Sequence, residues 1–231
     1  MKYFFKTKSP LFSLIAVIPM AVFYEIFLLI NNKSDITGVR NGADIFIKRI
    51  LVKIGFHGLE STILIFLVLF IIVSLIHKIH FKHKKIEMKY YPLIIAESIF
   101  YSFFLYFITR FIISNIVLLR IGSDSLETIS YSLGAGVYEE LIFRAVLLQL
   151  LFMLFKKIPV NENLGIIVAL ILSSLVFAGA HYVGNLGDTF NVISFVARFI
   201  GGMILGILYL FRGFAITSYT HAFYDVLLIF I

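Results

Sequence analysis

The chain has no cysteine and few charged residues, and both shortages narrow the kind of protein it can be. The absence of cysteine excludes disulfide bonds and thiolate catalysis. Charged residues make up only 14% of the 231 residues, whereas they make up about a quarter of an average soluble domain. The apolar fraction is 61% and the mean hydropathy is +1.01. This composition is typical of a chain embedded in a lipid bilayer.

The apolar residues form continuous runs and do not alternate with polar ones. Each run is about twenty residues long, which is enough for a helix to cross a bilayer. Backbone polar groups in lipid need partners within the protein, so spans must be helices or a closed barrel. A barrel strand alternates apolar and polar residues, and continuous runs do not. The sequence therefore predicts an all-α, polytopic transmembrane helical bundle.

About seven membrane spans are predicted from these runs, together with one helix that does not cross the membrane. Residues 41–55 mix apolar and basic residues at helical spacing, which predicts an interfacial amphipathic helix. No internal repeat or linker divides the chain, so we expect a single membrane domain over residues 1–231. No clear small-residue cleavage site follows the first run, so we expect it to remain as a span. The predicted spans are Pro10–Ile30, Gly58–Ile76, Pro92–Leu118, Leu126–Phe155, Leu164–Val183, Asn191–Phe211 and Gly213 to the end.

The net charge of +7 comes from basic residues between the apolar runs. Positive-inside anchoring explains these residues better than nucleic-acid binding does, and we expect no nucleic-acid partner. With a cytoplasmic N-terminus, four basic clusters fall on one side, and the opposite loops carry Asp124, Glu127 and Asp188. The basic residues of the amphipathic segment are the exception, and anionic headgroups would bind them. The four clusters are Lys2, Lys6 and Lys8; Lys78, Lys82, Lys84, Lys85 and Lys89; Lys156 and Lys157; and Arg212. The exception comprises Lys33, Arg40, Lys48, Arg49 and Lys53.

Span four carries two adjacent acids in a helix that is otherwise apolar. An ionised side chain at the bilayer centre costs about 3 kcal/mol or more, so each acid needs a partner or a wet cavity. Glu139 and Glu140 point about 100° apart on a helix. Glu140 and Arg144 stand four apart in the order that favours an ion pair, which leaves Glu139 without a local cation. A salt-bridge cluster that only fixes helix packing is the structural alternative.

Spans five and seven each carry a histidine. Phe177 and His181 share one helix face, as do His221 and Asp225. A lone membrane histidine more often packs or forms hydrogen bonds than it catalyses. Two histidines and one carboxylate from three helices, however, can converge as in bundle-core sites, and we expect Glu139 to meet both. Residue counting puts His181 nearer the outer end than the others, which predicts a tilted or broken helix.

Span six contains small residues at the spacing that lets helices approach closely. Gly202 and Gly206 stand four apart, with Gly201 beside them, and a packing seam is the better interpretation of this pattern. Arg198 lies one turn earlier and is expected to pair with Asp225 or Glu140, or to reach the outer interface. Three further charges in the spans are expected to form structural pairs: Glu25, Glu97 and Arg110.

The order of these residues resembles the signature of the CaaX protease and bacteriocin-processing (Abi) family, which includes the prenyl-protein-processing endopeptidase of eukaryotes. Its pattern is EExxxR, FxxxH, a glycine-spaced helix and HxxxN. The resemblance covers roughly residues 126–225 and indicates a catalytic core at 126–231. Asp225 replaces the asparagine of the pattern. Asparagine can donate to an oxyanion, whereas an ionised aspartate can only accept. Three explanations remain open: Asp225 is protonated, it orients His221, or a metal lies nearby.

The resemblance implies an intramembrane endopeptidase acting on peptides or protein tails. Glu139 would be the general base, His181 would hold the water, and His221 would stabilise the oxyanion with Asp225 alongside. Glu140 and Arg144 would support this geometry. Composition compatible with an AT-rich bacterial genome favours peptide maturation or bacteriocin self-immunity.

Two further interpretations of the resemblance concern cofactors and catalysis itself. Zinc or another divalent ion would suit the oxygen and nitrogen ligands. The HExxH motif of soluble metalloproteases is missing, however, so a mechanism without a cofactor ranks first. A non-enzymatic bacteriocin-immunity or scaffold protein in the cell membrane is the alternative. A proton-relaying transporter is weaker, since no paired broken-helix repeat is visible.

Overall fold

The computed structural model describes residues 2–30, 41–80, 86–112, 125–158, 161–184 and 187–230. All regular secondary structure within these ranges is helical, which confirms the predicted all-α class. A short 3₁₀ turn, Met88–Tyr90, precedes α5, and two π-helical segments lie between α6 and α7. The helices are α1 (Lys2–Thr7), α2 (Pro10–Ile30), α3 (Gly42–Val52), α4 (Gly58–His80), α5 (Tyr91–Ile112), α6 (Ser125–Gly134), α7 (Gln149–Phe155), α8 (Glu162–Ala180), α9 (Val192–Arg212) and α10 (Phe214–Phe230).

Five helical stretches within the described ranges are long and apolar enough to cross a membrane. They correspond to predicted spans one, two, three, five and six, and they make this a membrane protein. Predicted span four is helical but divided into several segments, and predicted span seven corresponds to α10, which has 17 residues. The count of seven spans stays a prediction. The end of predicted span three at Leu118 lies outside the described residues.

Helix α10 lies at the centre of the bundle and packs against α2, α5, α6 and α9. The buried core around it includes Tyr24, Tyr138 and Ile216. The backbone of α10 is approached closely at Gly136, where a Cβ atom would lie 2.5 Å from the backbone oxygen of Ser218. Only a residue without a side chain fits there, so this glycine brings the acid-bearing segment directly against α10.

The glycines of α9 form a packing seam with α8, as predicted. A Cβ atom on Gly206 would lie 2.4 Å from Leu170 Cδ1, and one on Gly202 would lie 3.0 Å from Phe177 Cδ1. The later glycine meets the earlier residue of α8, so the two helices run antiparallel. The start of α8 therefore lies at the same end of the bundle as the end of α9.

Basic residues predicted to share one side of the membrane gather at that end. Arg212, at the end of α9, bonds both carboxylate oxygens of Glu97 at 2.5 and 2.6 Å. Lys6 of α1 pairs with Glu87, just before α5. Lys156 pairs with Glu162 at the start of α8. The contacts thus bring members of all four basic clusters, or their immediate neighbours, to one end of the bundle. Lys82, Lys84 and Lys85 lie outside the described residues. The cytoplasmic orientation of this end stays a prediction.

The amphipathic segment forms α3, but two of its charged side chains, Asp44 and Lys48, point into the protein. The Lys48 side chain is fully buried, with Nζ 2.7 Å from Glu25 Oε1 and 3.1 Å from Asp44 Oδ1. Phe46 and Ile50 are exposed on the other face. The prediction that the basic residues of this segment bind lipid headgroups is therefore wrong for Lys48, because its ammonium is already satisfied by two buried carboxylates. Lys33 and Arg40 lie outside the described residues.

Replacing Lys48 by alanine should destabilise the fold strongly. Glu25 and Asp44 would lose their shared cation while remaining buried, and breaking a buried ion pair in this way costs about 3–5 kcal/mol. The free energy of unfolding, measured by denaturant titration in detergent micelles, should fall by this amount. The neighbouring Arg49 is exposed, so Arg49→Ala serves as the matched control and should change it by about 0.5 kcal/mol or less. Equal effects of the two substitutions would contradict the structural role of the cluster.

Candidate functional site

The helix that carries the two acids is irregular at those acids. π-Helical segments cover Ala135–Glu139 and Leu141–Leu148, and Glu140 lies between them. A π-helix has wider turns than an α-helix, and such insertions are frequent at functional sites. The helix of span four is thus widened at the acids, and the tilted or broken helix expected from the depth of His181 stays a prediction. The two neighbouring acids project toward different partners: Glu139 toward α3 and the end of α8, and Glu140 toward α10 and Arg144.

Glu139 is buried, and its two carboxylate oxygens have different surroundings. Oε1 accepts a hydrogen bond from Asn41 Nδ2 at 2.7 Å. Oε2 lies 3.8 Å from His181 Nε2 and has no hydrogen-bond partner among the side chains and backbone that the structure describes. One oxygen is therefore held in position while the other faces a histidine ring across a short gap.

His181 is the first residue after α8, and its ring is oriented by the last turn of that helix. Nδ1 lies 2.9 Å from the Phe177 carbonyl oxygen. Since a carbonyl can only accept, we assign the proton to Nδ1, and a neutral ring then has a lone pair at Nε2. Glu139 Oε2 and His181 Nε2 are in that case two acceptors facing one another. A molecule that donates two hydrogen bonds, such as water, fits between them.

Glu140 is fully buried, and one of its two carboxylate oxygens is held by neighbouring side chains. Oε1 lies 3.1 Å from Arg144 Nη1 and 2.7 Å from His221 Nδ1. Arg144 also donates from Nη2 to the Gly202 carbonyl oxygen at 3.4 Å. The predicted Glu140–Arg144 pair is confirmed. Its links to α9 and α10 show that Glu140 joins three helices and has little freedom to take up a proton from a substrate.

The ring of Phe177 lies between the two histidines. Its centroid is 4.9 Å from the centroid of His181 and 6.0 Å from that of His221. The guanidinium of Arg144 lies 4.2 Å from the same ring centre, which is a cation–π distance. Arg144 and the two histidines thus surround one aromatic ring, and Glu139 joins this group through its approach to His181.

Asp225 lies beside His221, toward the exposed side of the site. Its Oδ2 is 3.6 Å from His221 Nε2, which is longer than a hydrogen bond. The Asp225 side chain is 26% exposed, whereas that of His221 is 7% exposed. The proposed pairing of Arg198 with Asp225 or Glu140 is not found, because its guanidinium pairs with Asp188, ten residues before it.

The four residues considered as zinc ligands do not form a single cluster. Within the described ranges, no three histidine, cysteine, aspartate or glutamate side chains are grouped so that they could hold a metal ion. Glu139 and His181 form one close pair, and His221 and Asp225 form another. The four residues are thus arranged as two pairs and not as one ligand set.

Asn41 is the site residue that sequence patterns missed. It precedes α3 and caps that helix, and asparagine followed by glycine before an apolar run is a recognisable helix start. Nothing in the linear sequence indicates that its amide meets an acid 98 positions away. The contact depends on α3 turning its polar face into the bundle.

Comparison with protein-family models finds a match over the part of the chain that carries the candidate site residues. A family model described as type II CAAX prenyl endopeptidase, Rce1-like, matches residues 121–227. That range contains the six candidate site residues of the sequence analysis: Glu139, Glu140, Arg144, His181, His221 and Asp225. Searches among curated proteins and among solved structures found no match. Residues 121–227 of this membrane protein thus resemble the Rce1-like type II CAAX prenyl endopeptidases, a family of proteases.

Proposed function

We propose that this chain is a multi-pass intramembrane endopeptidase of the cell membrane that hydrolyses peptides or protein tails with water activated by Glu139 and His181. The observation that carries the proposal is the 3.8 Å approach of Glu139 Oε2 to His181 Nε2. These two atoms face one another without a direct hydrogen bond, and Glu139 Oε2 has no other hydrogen-bond partner among the described residues. The match of residues 121–227 to a family of proteases supports hydrolysis as the reaction.

The first step is attack by water on the scissile carbonyl carbon. A water between Glu139 Oε2 and His181 Nε2 lies within hydrogen-bond reach of both, as a general base requires. Glu139 takes one proton as the water oxygen bonds to carbon and the carbonyl electrons move onto oxygen. The proton then passes to the amide nitrogen as the C–N bond breaks. The products are a carboxyl and an amine, and Glu139 returns to the carboxylate.

His221 is the proposed donor to the developing oxyanion. Its Nδ1 is engaged by Glu140 at 2.7 Å, whereas Nε2 is 3.6 Å from Asp225 and not committed to it. A ring protonated at both nitrogens would donate to Glu140 on one side and to the oxyanion on the other. Asp225 then balances the charge of this ring, which explains how an acceptor can occupy the position of an asparagine. Donors aimed at a developing negative charge supply a large part of catalysis.

The substrate and setting follow from the site and the family. An apolar bundle with a buried site suits a peptide or protein tail at or in the membrane. A prenylated C-terminal tail is the substrate class that the family description names. Peptide maturation and bacteriocin self-immunity are the biological settings we propose. A chain that binds a bacteriocin or a membrane partner without cleaving it is the alternative, and it would not need the Glu139–His181 pair.

Substitution of the Glu139–His181 pair should remove cleavage while the protein stays folded. We expect Glu139→Gln and His181→Ala each to lower kcat by about 10²–10⁴-fold, which is the usual contribution of general acid–base catalysis. The measurement is cleavage of prenylated and unprenylated tail peptides by detergent-purified protein.

The matched controls for this experiment are Glu162→Gln and His57→Ala. Both residues are exposed and distant from the site in the fold, so cleavage by these variants should equal that of the original protein. If the Glu139 and His181 variants retain full biological function and remain folded, catalysis is rejected in favour of binding.

The roles of His221 and Asp225 can be separated by isosteric changes. His221→Asn retains an amide that can donate to Glu140 but loses the Nε2 donor, so kcat should fall by about 10²–10³-fold, as for a lost oxyanion donor. Asp225→Asn introduces the residue of the family pattern and should keep kcat within about tenfold, or 1.4 kcal/mol of transition-state stabilisation. Steady-state kinetics of both variants provide the measurement. An Asp225→Asn variant as inactive as Glu139→Gln would contradict the companion role of Asp225.

Chelation distinguishes the proposed mechanism from a metal-dependent one. We propose that no metal takes part, so cleavage should continue after exhaustive dialysis against a strong chelator. Elemental analysis of the same preparation should find less than one zinc per ten chains at full activity. Loss of cleavage on chelation, with recovery on addition of zinc, would assign the reaction to a metalloprotease.

A further inference from the structure

We propose that Asn41, outside residues 121–227, is a positioning residue that orients the carboxylate of Glu139 for hydrolysis. This inference rests on the proposed role of Glu139 as general base. Asn41 Nδ2 lies 2.7 Å from Glu139 Oε1, and the opposite oxygen of that carboxylate faces His181 at 3.8 Å. Holding one oxygen thus determines where the other one points.

The Asn41 amide has a single orientation that satisfies its surroundings. Its Oδ1 accepts a hydrogen bond from the backbone N–H of Ala43 at 2.9 Å, which caps α3. Its Nδ2 is then the atom directed at Glu139. Turning the amide over would set two oxygens against one another and leave the Ala43 N–H facing a donor. The cap and the contact with the acid therefore reinforce each other.

Asn41 is fully buried where three helices meet. Its backbone N–H lies 3.4 Å from the Tyr24 hydroxyl oxygen, and that hydroxyl donates to Asp44 Oδ2 at 2.7 Å. A Cβ atom on Gly134 would lie 3.0 Å from Asn41 Cβ and 2.6 Å from Tyr24 Cε2. The glycine at the end of α6 therefore makes room for Asn41 beside the segment that carries Glu139.

The rest of α3 is anchored so that Asn41 has little freedom to move. Lys48 bonds Glu25 of α2 and Asp44 of its own helix. Thr62 of α4 donates to the same Glu25 oxygen at 2.6 Å. This buried cluster ties α3 to the membrane helices α2 and α4. The attachment lies further along α3 than Asn41. A short helix that would otherwise lie at the interface is thus fixed against the site.

The physical consequence is preorganisation of the base. Hydrogen bonds to an ionised acceptor are stronger than neutral ones, and the donor here comes from a rigid element. Without it, the Glu139 carboxylate can rotate and move Oε2 away from His181. Misplacement of a reacting group by about 1 Å can lower the rate by about 10²-fold. A change of this kind acts on kcat, because it alters the reacting geometry and leaves peptide binding in place.

Asn41→Ser and Asn41→Asp test this role, because both retain an oxygen that caps α3 and both remove the amide donor. We expect kcat to fall by about 10- to 100-fold, with a larger effect for aspartate, which adds a second carboxylate beside Glu139. KM should stay near that of the original protein for both variants, and the thermal unfolding midpoint should stay near it for Asn41→Ser. Asn161 caps α8 through the same type of contact, with Oδ1 2.9 Å from the Asn163 N–H, and it is exposed. Asn161→Ser and Asn161→Asp are the matched controls and should leave kcat unchanged.

Infrared difference spectra provide a second readout that does not need turnover. The spectrum of the original protein minus that of Glu139→Gln isolates the Glu139 carboxyl band, and Asn41→Ser should shift this band. An unshifted band, or a kcat per folded molecule equal to that of the original protein, overturns the proposal. A fall in kcat that only follows loss of folded protein also overturns it, leaving Asn41 a helix cap. Absence of cleavage by the original protein would instead reject the proposed function, and the band shift would still decide the role of Asn41.

Discussion

Burial of charge among apolar helices is the constraint on which this structure depends. An ion that leaves water loses several kcal/mol of solvation, and only close partners with good geometry compensate for this loss. Three buried clusters meet the requirement: Lys48 with Glu25 and Asp44, Arg212 with Glu97, and Arg144 with Glu140. Arg212 of α9 joins Glu97 of α5, and the pair of Arg144 and Glu140 is linked to α9 and α10 through Gly202 and His221. The charges therefore act as specific cross-links in a bundle whose apolar surfaces alone would pack less selectively.

The two adjacent glutamates are both buried, but their carboxylates have different partners. Glu140 is held through one oxygen by Arg144 and His221 and joins helices. Glu139 has one oxygen bound to Asn41 and another that, among the described residues, approaches His181 at a distance too long for a direct hydrogen bond. The residue type is the same, and the difference arises because adjacent positions on a helix project about 100° apart, here toward different helices. A structural acid and a candidate catalytic acid thus arise at neighbouring positions.

The family match and the site do not have the same boundaries. Residues 121–227 supply the acids and both histidines, but the contact that orients Glu139 comes from the start of α3. Gly134 and Gly136 make this arrangement possible, because one accommodates Tyr24 and Asn41 and the other accommodates the α10 backbone. The N-terminal half therefore contributes a buried contact to the candidate site, in addition to its membrane spans.

Interactions between near neighbours were determined by the sequence itself. Long apolar runs must become helices because lipid offers the backbone no other hydrogen-bond partners, and the pair of Glu140 and Arg144 follows from helical spacing. The order of the motifs also indicated which helices carry the site. Tertiary structure alone decided that Lys48 turns inward, that Arg198 pairs with Asp188, and that Asn41 meets Glu139. Periodicity shows which residues share a face, but which faces meet depends on the packing of whole helices, and no local pattern records it.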